Sequence, residues 1–176
     1  RRTRLAYDRL GNLIARKDPA GRLTRYQYDA KGRLSAVVLP SGASIHCAYD
    51  AEDNLTAYTD ENGAVTRLEY FGQGEIARRI QPDGHRVDYL YDTEERLVGV
   101  RNQRGELYQL KRDALGRVVE EVDYWGQSNR YAYDSGGHLK ATLDPLGQRI
   151  DYRTDPLGRI TARLLPLALG QVSGEA

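Results

Sequence analysis

The pair Tyr-Asp recurs in this chain every 21 residues, first as Tyr7-Asp8, then as Tyr28-Asp29 and Tyr49-Asp50. The same register continues, with some substitutions, through Tyr70-Phe71, Tyr91-Asp92, Arg112-Asp113, Tyr133-Asp134 and Thr154-Asp155. No insertion or deletion separates the copies. A short, fixed period over most of a chain predicts one supersecondary unit that is copied and stacked, so that each copy contacts its neighbours.

A glycine follows most anchor tyrosines at a distance of four residues. It is present as Gly11, Gly32, Gly74, Gly116, Gly137 and Gly158, and it is replaced by Asp53 and Glu95. Asp-x-x-Gly predicts a tight turn in which the Asp carboxylate binds the backbone two residues on and Gly adopts a positive φ. The turns with Asp53 and Glu95 are therefore expected to be the weakest.

A second turn is predicted halfway along each repeat. Seven copies have Gly fourteen residues after the anchor, namely Gly21, Gly42, Gly63, Gly84, Gly105, Gly126 and Gly147. Pro often stands two positions earlier, as in Asp18-Pro19-Ala20-Gly21, where it pre-sets the φ of the first central residue. The chain is thus expected to reverse direction about every ten residues.

The segments between turns are too short for helices and have the alternation of strands. Apolar and aromatic residues such as Thr24, Tyr26 and Tyr28 alternate with polar residues such as Arg25 and Gln27. Stacked in register, equivalent side chains would form ladders of Tyr and Leu along one face of the sheet. The sequence therefore predicts an all-β fold of repeated antiparallel hairpins.

Composition removes several classes of function. The formal net charge is +1, which gives no electrostatic reason to expect nucleic acid as a partner. Cys47 is the single cysteine, so neither an intramolecular disulfide nor a zinc site built on cysteines is expected. No apolar run is long enough for a membrane helix, so no membrane insertion by this segment is expected. The chain opens within the repeat pattern, so we expect it to be a segment of a longer polypeptide. We expect no signal peptide within this segment.

No catalytic, metal or cofactor site is predicted. His46 and Cys47 are neighbours on a strand and should point to opposite faces, so Cys47 is interpreted as a packed thiol. The recurrent aspartates resemble calcium ligands, but each turn offers only one or two of them, and turn capping is the preferred interpretation. The acidic pairs Glu94-Glu95 and Glu120-Glu121 are interpreted as solvated charge. Trp125, in a turn, is locally unusual.

The combination of a Tyr-Asp anchor, a Gly-Arg or Gly-Asn turn, an apolar strand and a Pro-x-Gly turn resembles the YD repeat of the RHS family. The best matching stretches are Tyr28-Asp29-Ala30-Lys31-Gly32-Arg33-Leu34 and Tyr7-Asp8-Arg9-Leu10-Gly11-Asn12-Leu13. The family comprises bacterial polymorphic toxins, insecticidal toxin-complex components and teneurins. The expected structural anchors of the repeat are Tyr7, Asp8, Gly11, Tyr28, Asp29, Gly32, Tyr49, Asp50, Tyr91, Asp92, Tyr133, Asp134 and Gly137.

The resemblance implies a curved, spiralling sheet that is part of a hollow shell around a C-terminal toxin. This chain would then be shell wall and not an enzyme, within an exported bacterial protein such as a type VI secretion effector. Residues 1–166 are expected to form the repeat array and residues 167–176 a degenerate tail or linker. The expected partners are the rest of the same shell and its toxin cargo.

Two further expectations concern partners. About 16 strands at ~4.8 Å would span about 77 Å, which is too little for a closed wall around a folded toxin. We therefore expect an arc with open edges that favour self-association. The competing hypothesis is an extracellular adhesion module that binds carbohydrate on an exposed face of Tyr and Arg.

Overall fold

A computed structural model describes residues 2–165, and in these residues every regular element is a β-strand. The strands are β1 (Arg4–Tyr7), β2 (Leu13–Lys17), β3 (Leu23–Tyr28), β4 (Leu34–Val38), β5 (Ser44–Tyr49), β6 (Leu55–Thr59), β7 (Val65–Phe71), β8 (Glu75–Ile80), β9 (Arg86–Tyr91), β10 (Leu97–Arg101), β11 (Leu107–Arg112), β12 (Val118–Val122), β13 (Ser128–Tyr133), β14 (Leu139–Leu143), β15 (Arg149–Thr154) and β16 (Ile160–Leu164). The prediction of an all-β fold of repeated hairpins is confirmed.

The strands follow one another in the sheet in the same order as in the chain. Each 21-residue repeat supplies two strands, and consecutive strands run antiparallel. The chain groups into two compact units, Arg1–Asp88 and Tyr89–Ala176. Each unit is a run of hairpins with the same local geometry. The predicted tail, 167–176, lies outside the described residues.

The two sets of turns share one hydrogen-bonding pattern. In the first set, Gly11 N donates to Asp8 O at 3.2 Å and Asp8 N donates to Asn12 O at 2.9 Å. In the second set, Gly21 N and Asp18 N make the equivalent bonds to Asp18 O and Arg22 O, both at 3.0 Å. The positive φ predicted for the fourth residue is confirmed, for example 89° at Gly11 and 85° at Gly21. The fourth residue of these turns therefore supplies the positive φ that closes them.

Three turns of the first set depart from the common sequence. Asp53 (φ 72°) and Glu95 (φ 58°) take the left-handed conformation in place of Gly. The third turn begins at Phe71, which has no carboxylate to bind the turn amides. There both Gly72 and Gly74 have a positive φ, and the Gly74 N to Phe71 O distance is 3.4 Å.

A β-bulge recurs in the second strand of the hairpins. In the hairpin of β3 and β4, Gln27 pairs with Ala36 but Tyr28 pairs with Leu34, so Ser35 has no partner of its own. The same one-residue shift occurs in six other hairpins, at Ile14, Thr56, Ala77, Val119, Lys140 and Thr161. A bulge of this kind bends the strand and increases its twist. It also allows Leu34 and Val37, three residues apart, to lie on the face that carries the tyrosines, since Val37 pairs with Tyr26.

The sheet is a single layer whose interior is small. Ala36 and Ala141 are the buried hydrophobic residues in the described part of the chain, each with 4% exposure. No large side chain there is fully buried. Tyr and Leu side chains are half-buried because they pack along the sheet against equivalent side chains of neighbouring strands. Stability therefore comes from contacts between adjacent strands and not from a closed core.

Replacing Glu95 with Gly should raise the free energy of unfolding by roughly 0.5–1 kcal/mol. A side chain in the left-handed region costs about 1–2 kcal/mol, and the added flexibility of Gly in the unfolded chain offsets part of the gain. Urea denaturation measures the change. As a matched control, Gly105→Ala introduces a Cβ at φ 82° where no atom lies within 4 Å, and it should be destabilising. A loss of stability in Glu95→Gly would show that the backbone there is unstrained.

Candidate functional site

The candidate site is the junction between successive repeats, and its first component is the hydroxyl group of the anchor tyrosine. This hydroxyl donates a hydrogen bond to the backbone carbonyl of the residue fifteen positions earlier, in the preceding repeat. The bonds are Tyr28 to Leu13 O (3.0 Å), Tyr49 to Leu34 O (3.0 Å), Tyr70 to Leu55 O (2.8 Å) and Tyr133 to Val118 O (2.7 Å). Their common spacing makes the junction a property of the repeat.

The hydroxyl supplies a donor at a point where the backbone ladder has ended. The ladder between β2 and β3 joins Ala15–Lys17 with Leu23–Arg25. Leu13 lies beyond it, on the far side of the bulge residue Ile14. A half-buried carbonyl without a donor would cost about 1–3 kcal/mol. The Tyr28 hydroxyl satisfies this carbonyl and ties the start of β2 to the end of β3.

Arg112 occupies an anchor position where the other repeats mostly have Tyr, and it makes the same connection with different chemistry. Its Nε and Nη2 donate to Leu97 O, at 3.3 and 2.9 Å, and Leu97 is again fifteen residues earlier. Its Nη1 donates to Gly116 O at 2.9 Å. A long side chain with a donor at its end can therefore make this bond without an aromatic ring.

The second component is the aspartate that begins the turn. Asp29 Oδ1 accepts hydrogen bonds from Lys31 N and Arg33 N, both at 2.9 Å, which confirms the predicted turn capping. Asp29 Oδ2 accepts from Arg33 Nε at 2.7 Å. These donors, the Arg33 amide foremost, lower the pKa of the Asp29 carboxyl. Similar donors lower the pKa of Asp8, Asp18, Asp92, Asp113, Asp134 and Asp155.

The third component is the residue after the turn glycine, which connects this turn with the next repeat. The guanidinium carbon of Arg33 lies 4.6 Å from the ring centroid of Tyr49, and Arg33 Nη1 donates to Asp50 O at 3.0 Å. Arg117 is placed in the same way, 4.5 Å from the ring centroid of Tyr133. Arg therefore binds the Asp of its own turn and stacks on the Tyr sixteen residues later, a cation–π contact.

The predicted anchor residues take part in these junctions according to their position in the repeat. Tyr28, Tyr49 and Tyr133 end strands and bridge repeats, whereas Tyr7 lies in the edge strand β1 and is 56% exposed. The aspartates Asp8, Asp29, Asp50, Asp92 and Asp134 accept turn amides. The glycines Gly11, Gly32 and Gly137 have a positive φ. Tyr91 ends β9.

The junction has variants at the Arg position. Asn12 and Asn54 replace Arg in two turns, and each donates its side-chain amide to the turn aspartate. His138 replaces Arg in a third turn, with Nδ1 3.5 Å from Asp134 Oδ2. The imidazole of His138 lies over Gly158 of the next turn and occupies the space that a Cβ there would need. Gly158 thus combines a positive φ of 78° with the absence of a Cβ beside this ring.

The structure also shows the surroundings of the other residues considered for metal binding, namely His46, Cys47 and the turn aspartates. His46 and Cys47 are successive residues of β5, the first exposed and the second half-buried, so the two side chains lie on opposite faces as predicted. No group of three potential metal ligands occurs within residues 2–165. The turn aspartates are already bound to turn amides, which supports capping over calcium binding. No helix in the described part of the chain could cross a membrane.

The interpretation of Glu120 and Glu121 as solvated charge is wrong. Glu120 is only 16% exposed and accepts hydrogen bonds from Lys111 (2.7 Å), Ser128 (2.6 Å) and Arg130 (3.2 Å). These donors, Lys111 foremost, lower the pKa of Glu120 to about 2. Glu121 accepts a 2.7 Å bond from the Tyr108 hydroxyl, which raises the pKa of Tyr108 to about 12. Cross-strand partners that are distant in sequence produce both networks.

Comparison with known proteins finds a family model that matches part of the chain. Residues 7–44 and 49–73 match the family model of the RHS repeat. No protein of curated function matches the chain.

Among solved structures, a mutant Photorhabdus luminescens Tc holotoxin pore is 18% identical, with a TM-score of 0.70 over 93% of this chain and 10% of that chain. A crystal structure of TcdB2-TccC3-Cdc42 is 14% identical, covers 90% of this chain and 12% of that chain, and has a TM-score of 0.42. The chain thus spans about a tenth of the length of the structures it matches. The Tc holotoxin pore shows that this fold is shared.

Tyr133→Phe should lower the free energy of unfolding by about 1 kcal/mol, because Val118 O loses its donor while the ring and its contact with Arg117 remain. Thermal or urea unfolding measures the loss. The matched control is Tyr124→Phe, since the Tyr124 ring packs edge-on against Tyr108 at 5.8 Å and its hydroxyl makes no hydrogen bond in the described residues. That control should change stability by less than about 0.5 kcal/mol. Equal effects in the two variants would contradict the assigned role of the hydroxyl.

The turn aspartates should make stability fall in acid. Their pKa values are lowered in the folded chain, so their contribution is complete above the ordinary value of 3.8 and is lost as the pH falls through the lowered value. Asp29→Asn keeps an acceptor for the turn amides but loses the ion pair with Arg33. The variant should therefore be less stable than the parent at pH 7, and the difference should shrink as the pH falls below 3.8 and the Asp29 carboxyl of the parent becomes protonated. A difference that is constant with pH would exclude a role for the Asp29 charge.

Proposed function

We propose that this chain, in which residues 7–44 and 49–73 match the RHS repeat, forms part of the wall of an RHS-type shell, which encloses a C-terminal toxin in an exported bacterial protein. The observation that carries the proposal is the repeat junction, in which a tyrosine hydroxyl, or the guanidinium of Arg112, donates to a backbone carbonyl fifteen residues earlier. Such a junction can add hairpins without limit and needs no second layer. A wall one sheet thick is the structure that this arrangement builds.

The mechanism follows from the sheet. Every strand within a unit is hydrogen-bonded to its neighbours. Tyrosine hydroxyls bind carbonyls that lie beyond the backbone ladders, such as Leu13 O and Val118 O. A sheet sealed in this way leaves few backbone groups for an enclosed polypeptide to pair with. The proposed role is sequestration, in which the wall separates a toxic or partly unfolded polypeptide from its targets until the shell opens. On this account the repeats themselves catalyse no reaction.

The use of the Tyr and Arg side chains favours the shell over the carbohydrate-binding module. A stacking platform for sugars needs exposed rings and free polar groups. Here the Tyr49 ring is covered by Arg33, the Tyr49 hydroxyl is bound to Leu34 O, and Arg33 is bound to Asp29. The ring of Tyr49 and the guanidinium of Arg33 are thus engaged between repeats.

The test is protection of cargo in the natural polypeptide that contains this chain. Limited trypsin digestion should spare the polypeptide that follows the repeats. The combined variant Tyr28→Phe, Tyr49→Phe and Tyr133→Phe loosens three junctions and should shorten the survival of that cargo at least fivefold. Tyr124→Phe serves as the control and should leave it unchanged.

Two results would contradict the proposal. Digestion of the cargo at the same rate in the parent and as a free domain would show that it is not enclosed. Specific binding of this chain on a glycan array, lost on mutation of exposed Tyr or Arg residues, would favour the adhesion module instead.

A further inference from the structure

The face of the sheet opposite the tyrosines carries three basic side chains at equivalent positions of successive repeats. They are Arg25 in β3, His46 in β5 and Arg67 in β7, named here the basic row, and all three are exposed. Because Arg25 alternates with Thr24 and Tyr26 along β3, its side chain points away from the tyrosine face. The three strands lie inside the array, each paired on both sides.

No neighbouring carboxylate neutralises the basic row. Strands β2 to β6 contain no Asp or Glu. Glu69 lies two residues after Arg67 in β7, but it is bound to Arg78, at 3.1 Å. Within the described residues, neither Arg25 nor Arg67 forms an ion pair. The row is therefore a line of cationic and donor groups without acceptors.

An alanine lies directly opposite each member of the row, on the preceding strand. The pairs are Ala15 with Arg25, Ala36 with His46 and Ala57 with Arg67. Residues that pair directly across antiparallel strands have their side chains on the same face. An alanine methyl group is small and offers no hydrogen-bond acceptor.

The same pair of positions forms an ion pair elsewhere in the chain. Five repeats after Ala15 and Arg25, the equivalent residues are Glu120 and Arg130. They are paired across β12 and β13, and Arg130 Nε donates to Glu120 Oε1 at 3.2 Å. The carboxylate thus binds the arginine at the position that alanine occupies beside the basic row.

A second ion pair at these positions has its charges exchanged. Arg78 stands at the alanine position and Asp88 at the arginine position, and Arg78 Nε donates to Asp88 Oδ1. Wherever both positions are charged in the described residues, their charges are therefore opposite. Beside the basic row the chain supplies the cation alone.

The spacing of the row favours an extended partner. Val38 pairs with both Arg25 and Ser44, and Ser44 lies two residues before His46. Two strand spacings of ~4.8 Å and an offset of ~6.8 Å along the strand place successive members about 12 Å apart. An extended polypeptide covers this distance in about four residues, so a segment of about eight residues spans the row.

We propose that the basic row binds an extended, acidic segment of polypeptide. Its Asp or Glu carboxylates form ion pairs with Arg25 and Arg67 and accept a hydrogen bond from His46, in the place that Glu120 takes beside Arg130. A carboxylate is the chosen partner because it is the group that the chain itself places at this position. The inference depends on this face of the sheet and not on the shell role, so either can fail alone.

An NMR titration of the isotope-labelled 176-residue chain tests the proposal, with a peptide of about 12 residues that alternates Glu and Ser as the probe. At low ionic strength the Nε–H signals of Arg25 and Arg67 should shift with a Kd of about 0.1–1 mM, since exposed ion pairs are individually weak. About 0.5 M salt should abolish the shifts. A peptide that alternates Gln and Ser is the control and should cause none.

Two kinds of variant locate the binding surface. The double variant Arg25→Gln and Arg67→Gln removes two charges and should raise the Kd at least fivefold. Arg130→Gln is the matched control, because that arginine has the same place in the repeat but is already paired, and it should leave the Kd unchanged. Ala57→Glu supplies Arg67 with a carboxylate from its own chain and should raise the Kd at least threefold. Circular dichroism checks that each variant is folded.

Four results would overturn the proposal. The first is an absence of shifts at Arg25 and Arg67 up to about 5 mM peptide, well above the expected Kd. The second is equal binding of the uncharged peptide, and the third is equal weakening by Arg130→Gln. The fourth is tighter binding of an oligothymidylate of similar length, because the partner would then be a phosphodiester chain and not a polypeptide.

Discussion

The hydrogen bond from the anchor tyrosine to a carbonyl fifteen residues earlier is the interaction on which the rest of this structure depends. It joins hairpins at the point where the backbone ladder has ended, next to a bulge that displaces one residue from pairing. The Arg contact with the tyrosine sixteen residues later crosses the same junction. Because both contacts have fixed lengths, one inserted residue would break them together. The strict 21-residue period follows from this constraint.

A sheet of this kind obtains little stability from burial. Only two small hydrophobic residues in the described part of the chain are buried, and no large side chain there is fully buried. Each repeat must therefore be stabilised by the next, as in other repeat proteins. The same property suits a wall, which can be extended without building a core. The proposed shell role follows from this one feature.

Sequence reasoning predicted the parts of the fold that depend on local chemistry. Asp and Gly at fixed spacing identified the turns, including the left-handed residues Asp53 and Glu95, because turn conformation is decided within four residues. The bulge at Ser35 was missed, since one extra residue in a short strand looks like ordinary alternation. The acceptor of the tyrosine hydroxyl was missed because backbone carbonyls have no sequence signature. The stacking of Arg33 on Tyr49 could have been predicted by comparing the distances in sequence between residues of successive repeats, and not only those between residues of one repeat.

Residue-resolved amide hydrogen exchange in Tyr133→Phe tests most directly whether the hydroxyl couples adjacent repeats. Removal of the bond should accelerate exchange by about fivefold in β12, which belongs to the preceding repeat, as well as in β13, which carries residue 133. Faster exchange in both strands is the result that this account predicts. Acceleration confined to β13, with β12 unchanged, would contradict it and would show that the backbone ladder alone holds the repeats together.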